Sequence, residues 1–182
     1  MEVAAKRRHH ITFLLPRLPL APSSNITDGK VWLSLDTDDT CHHPKRYGHP
    51  TRTKAKVTES PYRMTEFLES GWKGFMQWRN GAGKGLPVTL FVIAEQLDDE
   101  RFANLLRMLL ENDDLVTIGT HGNKHRCWSA WPEDSVAFHQ DLSISISRLI
   151  EFAGDKFRPW FRAPGGYIAP WMADVLRRQG II

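Results

Sequence analysis

The chain has 182 residues, 41% of them apolar and 25% charged, the mix of one globular domain with a real core; this excludes a low-complexity or fibrous protein. Its net charge of +3 invites a nucleic-acid reading, but Lys6, Arg7, Arg8 and Arg17 against Glu2 place all of it in the first 24 residues. The neutral remainder predicts no phosphate-binding face, and so no nucleic-acid partner.

Residues 1–27 read as a basic, disordered tail and 28–182 as one domain with an insertion at about 41–86. The apolar run from Ile11 to Leu15 is broken by Pro16, Arg17 and Pro19, short of the roughly 7–15 apolar residues of a secretory leader. No segment approaches the roughly 20 apolar residues of a membrane span, so the expected location is cytoplasmic. Cys41 and Cys127 are too few for a disulfide framework and read as free thiols of a reducing compartment.

The first strand is expected at 31–35, after the Asp28-Gly29 turn signal, and it runs into Asp36-Thr37-Asp38-Asp39-Thr40. An irregular stretch follows to about Glu59. Ser60-Pro61 then resembles an N-cap with proline at the first helical position, leading into Phe67, Leu68, Trp72, Phe75 and Met76 at helical spacing. The glycine-rich segment 80–85 is not a phosphate loop: it follows a helix, and Lys84 precedes Gly85 instead of Ser or Thr. A doubly buried strand is expected at 88–93, then a helix capped by Asp98 or Asp99 that carries Phe102, Leu105, Leu106, Leu109 and Leu110. A strand at 115–118 leads into Thr120-His121. A helix from about 132 to 152 presents Val136, His139, Leu142, Ile146, Leu149 and Ile150 as its apolar stripe, with His139 packed within it. The last strand, 157–161, ends in Arg162-Ala163-Pro164-Gly165-Gly166-Tyr167, and a helix from about 169 to 179 stops at Gly180. This alternation predicts a parallel α/β architecture.

In such folds ligand sites gather at the carboxyl ends of the strands. Acids, imidazoles and a guanidinium sit there after three different strands. His121 and His125 are spaced so that one side of a helical turn would carry both imidazoles. Two imidazoles and a carboxylate suit zinc or a similar first-row ion and leave a position open for water. Taken singly, each cluster has a plainer explanation: surface or core histidines, acids that cap a helix, an arginine in a surface salt bridge. Trp72, Trp78, Trp128 and Trp131 could stack against sugar but fit core packing better, and Cys127 reads as a small buried residue before a ligand.

The three clusters together resemble the motifs of the NodB-type polysaccharide deacetylase family. Ser34-Leu35-Asp36-Thr37-Asp38-Asp39 is similar to its Asp-rich motif, His121-Gly122-Asn123-Lys124-His125 to its His-x-x-x-His motif, and Arg162-Ala163-Pro164-Gly165 to its Arg-x-Pro motif. The resemblance, over about residues 30–180, implies a partial, distorted (β/α) barrel of the glycoside hydrolase/deacetylase type. It also implies metal-dependent removal of acetyl groups from N-acetylated sugars or polysaccharide. The implied ligands are Asp38, His121 and His125, the implied base is Asp36, and Arg162 orients it. Pro164, Gly165 and Tyr167 would approach the substrate. The implied metal is zinc first, with cobalt, nickel or manganese as other fits. A second alignment makes Asp38 the base and Asp39 the ligand; the ungapped strand favours the first.

Two later family motifs, one with an Asp and one Leu-x-x-His, do not occur before Ile182, so a truncated version of a longer enzyme is expected. His42, His43 and His49 are then candidate proton donors, against a plainer reading as exposed loop histidines. Two rival functions start from the same acids. Asp36-Thr37-Asp38-Asp39-Thr40 also resembles the strand end of haloacid-dehalogenase-type phosphatases, with Asp36 as nucleophile and Asp38 as acid/base. The other rival is a non-catalytic metal- or glycan-binding remnant.

Overall fold

A computed structural model describes residues 32–54 and 61–181; the N-terminal tail and the expected Ser60 cap lie outside the described residues. Four parallel strands, β1 (Leu33–Asp36), β2 (Val88–Val92), β3 (Val116–Thr120) and β4 (Phe157–Phe161), form one sheet in the order β1-β2-β3-β4. Helices α1 (Glu66–Asn80), α2 (Glu100–Asn112), α3 (Ser135–Ala153) and α4 (Pro170–Arg178) fill the crossovers and the end of the chain. The register is regular, with Leu33 opposite Val88 and Val88 opposite Val116, up to an irregularity between Ile118 and Thr120 where β4 joins. Pro159, which has no N–H to give a neighbour, sits in β4 at one edge of this sheet.

Strand periodicity sorts the side chains onto two faces. Leu33, Val88, Leu90, Val92, Val116 and Ile118 pack with Trp72 of α1, Phe102, Leu106, Leu109 and Leu110 of α2, and Leu149 of α3. Burying each large side chain there contributes roughly 1.5–3 kcal/mol. Trp32, Thr89, Phe91 and Trp160 belong to the opposite face; Trp32 meets Trp160 edge-on at 5.3 Å and donates to Thr89 Oγ1 at 3.2 Å. A second apolar cluster joins Trp128, Phe138 and Leu142 to Met172, Val175 and Leu176 of α4.

The helix starts follow local chemistry. Asp99 caps α2 by accepting from Arg101 N (3.0 Å) and Phe102 N (3.1 Å). Asp134 caps α3 through Ala137 N at 3.0 Å. Pro61 precedes α1 in non-helical backbone, and Thr65 is the cap, accepting from Leu68 N at 3.4 Å. The buried stripe of α3 is Phe138, Leu142, Ser145 and Leu149. It is rotated from the expected one: Val136 and Ile150 are exposed, and His139, expected to be packed, is exposed beside Gln179 Nε2 at 2.6 Å. Position 145 is buried because its hydroxyl meets Thr120 Oγ1 at 2.6 Å, a polar partner that apolar periodicity does not register.

The glycine-rich turn after α1 has the opposite polarity to an anion cradle. Its carbonyls, Gly83 O and Leu86 O, both accept from Arg79 Nη1 at 2.5 Å. Arg79 is only 4% exposed and also reaches Asp113, through Nε at 2.5 Å and Nη2 at 2.8 Å. It ties the end of α1 to the turn before β3. Among the described residues no helix is long and apolar enough to cross a membrane, and Cys41 and Cys127 are both free.

Candidate metal centre

The loop after β3 carries both histidines. It is not the helical turn expected from their spacing: residues 121–127 have no regular secondary structure. Hydrogen bonds to the end of β2 shape it, His121 N to Val92 O (2.8 Å), Ala94 N to Gly122 O (3.0 Å) and Glu95 N to Asn123 O (3.0 Å). Asp141 of α3 accepts from Asn123 N at 3.2 Å, and burial pushes its carboxyl up to about 6.

The acids arrive from β1. Thr37 anchors the turn after the strand: its N–H donates to Phe91 O at 3.1 Å, and Gln96 Nε2 donates to its carbonyl at 2.6 Å. Gln96 is fully buried, and its Oε1 accepts from the Thr37 hydroxyl at 2.5 Å. Thus held, Asp38 Oδ1 lies 3.3 Å from His121 Nε2 and its Oδ2 lies 3.3 Å from His125 Nε2. One ligand atom from each of the three falls within 4.8 Å of the others. Burial opposes the charge on Asp38, but its contacts with the two imidazoles hold the carboxyl well below the usual carboxylate range.

Asp39 points elsewhere. It accepts from Thr40 N (2.6 Å), Tyr62 Oη (2.9 Å), Thr65 N (2.9 Å) and the Thr65 hydroxyl. Against the cost of burial these donors hold its carboxyl below the ordinary value. They tie the end of β1 to the start of α1.

This donor set fits a divalent ion. His121 Nδ1 lies 2.7 Å from Arg162 O, and because a carbonyl only accepts, Nδ1 carries a proton, which leaves Nε2, the nitrogen that faces Asp38, as the atom that would bind a metal. With metal–ligand bonds of about 2.0–2.1 Å, neighbouring ligands of a tetrahedral ion stand about 3.3–3.4 Å apart. Each Asp38 oxygen stands at about that distance from one imidazole nitrogen, a different oxygen for each ring.

Arg162 joins the two halves of the site. Its Nη1 donates to Asp36 Oδ1 at 2.7 Å, its Nη2 to Ser34 Oγ at 2.5 Å, and its guanidinium covers the Phe91 ring at 4.1 Å. Its own carbonyl is the one that holds His121. Pro164 is buried, while Tyr167 is 76% exposed. A side chain at Gly165 would come within 3.1 Å of Cys127 Sγ, so its bareness serves contact within the protein.

His42, expected as an exposed loop residue, is 2% exposed and stacks on Tyr62 at 5.4 Å. Its Nδ1 accepts from Asp39 N at 2.9 Å, which leaves Nε2 facing Glu95 Oε1 at 3.5 Å. Trp72 and Trp128 belong to the two cores, Trp78 lies beside Phe75 of α1 at 5.9 Å and Trp131 packs against Arg126 at 4.5 Å, so the four tryptophans form no common platform.

Residues 41–54 form a strap over the histidine loop. Gly48 O accepts from Cys127 N at 2.9 Å and from Trp131 Nε1 at 3.1 Å. Gly48 has φ +75°, and a Cβ there would stand 2.2 Å from His125 O. Nothing in the sequence around Gly48 marks this contact, since its partner lies far along the chain. Gly48→Ala should cost about 1–3 kcal/mol in backbone strain alone and displace His125. The expected result is weaker zinc binding by isothermal titration together with a lower Tm; unchanged zinc affinity would show the strap to be irrelevant to the loop.

A protein-family model described as polysaccharide deacetylase matches residues 82–181, more than half of the chain. The match includes His121, His125 and Arg162 and begins after Asp36 and Asp38, which stand on geometry. No curated protein and no solved structure matches the chain.

Proposed function

The chain belongs to the polysaccharide deacetylase family, and from that membership we propose that it hydrolyses N-acetyl groups of sugars or polysaccharide with a divalent metal, zinc first, held by Asp38, His121 and His125. The observation that carries the reading is Asp38, each of whose oxygens meets one imidazole Nε2 at 3.3 Å. Four parallel strands in sequential order, with helices packed on one face, support a partial, distorted (β/α) barrel as the scaffold.

When bound, a divalent ion supplies Lewis acidity, polarising the acetyl oxygen and making water more acidic. Asp36 is the base. Arg162 occupies its Oδ1, which leaves Oδ2 to take the proton of the attacking water. Water oxygen adds to the acetyl carbon, the C–N bond breaks, and acetate and amine leave. The proton held on Asp36 is then available to the departing nitrogen. His42 does not fill that role, because it is buried and engaged by Asp39 and Glu95. Arg162 keeps base and ligand in register through its guanidinium and its carbonyl. Tyr167 and the exposed backbone at Gly165 form the approach for the sugar.

Asp36→Asn should lower acetate release from N-acetylglucosamine oligomers by about 10²–10⁴-fold while zinc stoichiometry stays that of the wild type. Equal rates in both proteins would remove Asp36 from the mechanism. No observation favours the phosphatase alternative: the sheet order does not reverse as in a doubly wound fold, and the supposed nucleophile is paired with Arg162.

A further inference from the structure

The neutrality of the domain conceals a local segregation of charge. Residues 41–54 contain Lys45, Arg46, Arg52 and Lys54 and not one Asp or Glu. All four cations are exposed, and none has an ion-pair partner among the described residues. The exposed Lys124, inside the histidine loop itself, is likewise unpaired.

Cationic loops are ordinarily just solvated, but this one is fastened to the site. Gly48 docks the strap on the backbone of His125, Arg126 and Cys127, four residues from Arg52. The acids of the site itself are already engaged: Asp38 with the two imidazoles, Asp36 with Arg162, Glu95 with His42. What faces solvent along the strap is positive charge alone. Such a rim concentrates anions and raises their rate of encounter.

We propose that the 41–54 strap is a substrate-recognition element that directs the site toward acetylated glycans carrying negative charge, with Arg46 and Arg52, which flank the Gly48 contact in sequence, as the recognising cations. The inference rests on the deacetylase reading and specifies its substrate class. A carboxylate on a sugar next to the acetylated one would meet the cations of the strap.

The test uses the zinc-loaded full chain and two oligomers of equal length, one of N-acetylglucosamine alone and one alternating N-acetylglucosamine with glucuronate. Binding is read by titration calorimetry and hydrolysis by acetate release. The alternating oligomer should bind at least about ten-fold more tightly at low salt, and the advantage should shrink as screening shortens the reach of the charges. In the double variant R46E/R52E the advantage should vanish with binding of the neutral oligomer unchanged. The neutralising pair R46Q/R52Q should give an intermediate result, and its Tm should match the wild type. Equal affinity of the wild type for both oligomers would overturn the proposal, as would a preference that survives R46E/R52E. Equally tight, equally variant-sensitive binding of a single-stranded oligonucleotide of the same charge would assign the strap to nucleic acid and overturn it too. A binding preference without acetate release from either oligomer upholds the recognition element and removes the deacetylase reading; acetate release without preference does the reverse.

Discussion

Asp38→Asn should abolish tight zinc binding while leaving the fold in place. The substitution keeps the volume and the hydrogen-bonding length of the side chain but removes the anionic donor that stands between two imidazoles. It leaves the other anchors of the turn, Thr37 to Phe91 and Gln96 to Thr37, unaltered. His121→Ala should weaken zinc at least as much, because it removes a donor whose tautomer the Arg162 carbonyl sets. Loss of an outer partner of a metal ligand costs about 10–100-fold in affinity, and loss of a ligand exceeds that. Titration calorimetry with elemental analysis of the dialysed protein reads the effect, and far-ultraviolet circular dichroism checks the fold. His139→Ala, at an exposed histidine that meets Gln179, should bind zinc as the wild type does. Asp39→Asn serves as the counter-test. Its four acceptor contacts are structural, so it should lower stability and retain zinc; the opposite pattern at positions 38 and 39 would move the ligand to Asp39.

Arg79→Ala should be the most destabilising single change away from the site, by about 3–5 kcal/mol, because it breaks a buried pair and leaves its partners uncompensated. The guanidinium binds Asp113 twice and gathers Gly83 O and Leu86 O, so one truncation frees a carboxylate and two carbonyls. Those groups join the end of α1 to the starts of β2 and β3, the middle of the sheet. Arg79→Lys should recover only part of the loss, since a single ammonium cannot span the carboxylate and both carbonyls. Urea denaturation at neutral pH measures the difference. Arg79 holds the Asp113 carboxyl below its ordinary value in the folded protein. That contribution is therefore present above the unfolded value of about 4 and is lost as pH falls through the lower folded value. The gap between wild type and Arg79→Ala should narrow in acid; a gap constant from neutral pH down to acid would mean that packing, and not the ion pair, carries the effect.

Much of the fold was legible because its signals are local. Asp99 caps α2 with its own side chain, Pro170 opens α4, and the apolar block at 88–92 becomes a strand buried on both faces. Helix ends moved where a better local cap lay nearby, as when Thr65 displaced the expected Ser60-Pro61 start. The stripe of α3 departs from apolar spacing because Ser145 is buried for a hydrogen bond, while Ile150 is left outside.

The donor set of the site was legible for the same reason. Asp, His and Arg following three strands of a parallel sheet must meet at one rim, since every strand delivers its carboxyl end there. The sequence by itself therefore determined which residue types converge and what chemistry they suit. Only the tertiary structure decided which of two adjacent acids faces the imidazoles. Asp38 and Asp39 differ by one step of backbone, and the choice turns on Tyr62 and Thr65 capturing the second and Gln96 pinning the turn before the first. Gly48 holding the histidine loop and Arg162 serving Asp36 and His121 at once belong to the same class. Each depends on partners some 41 to 126 residues apart, and chain-local periodicity carries no information about them.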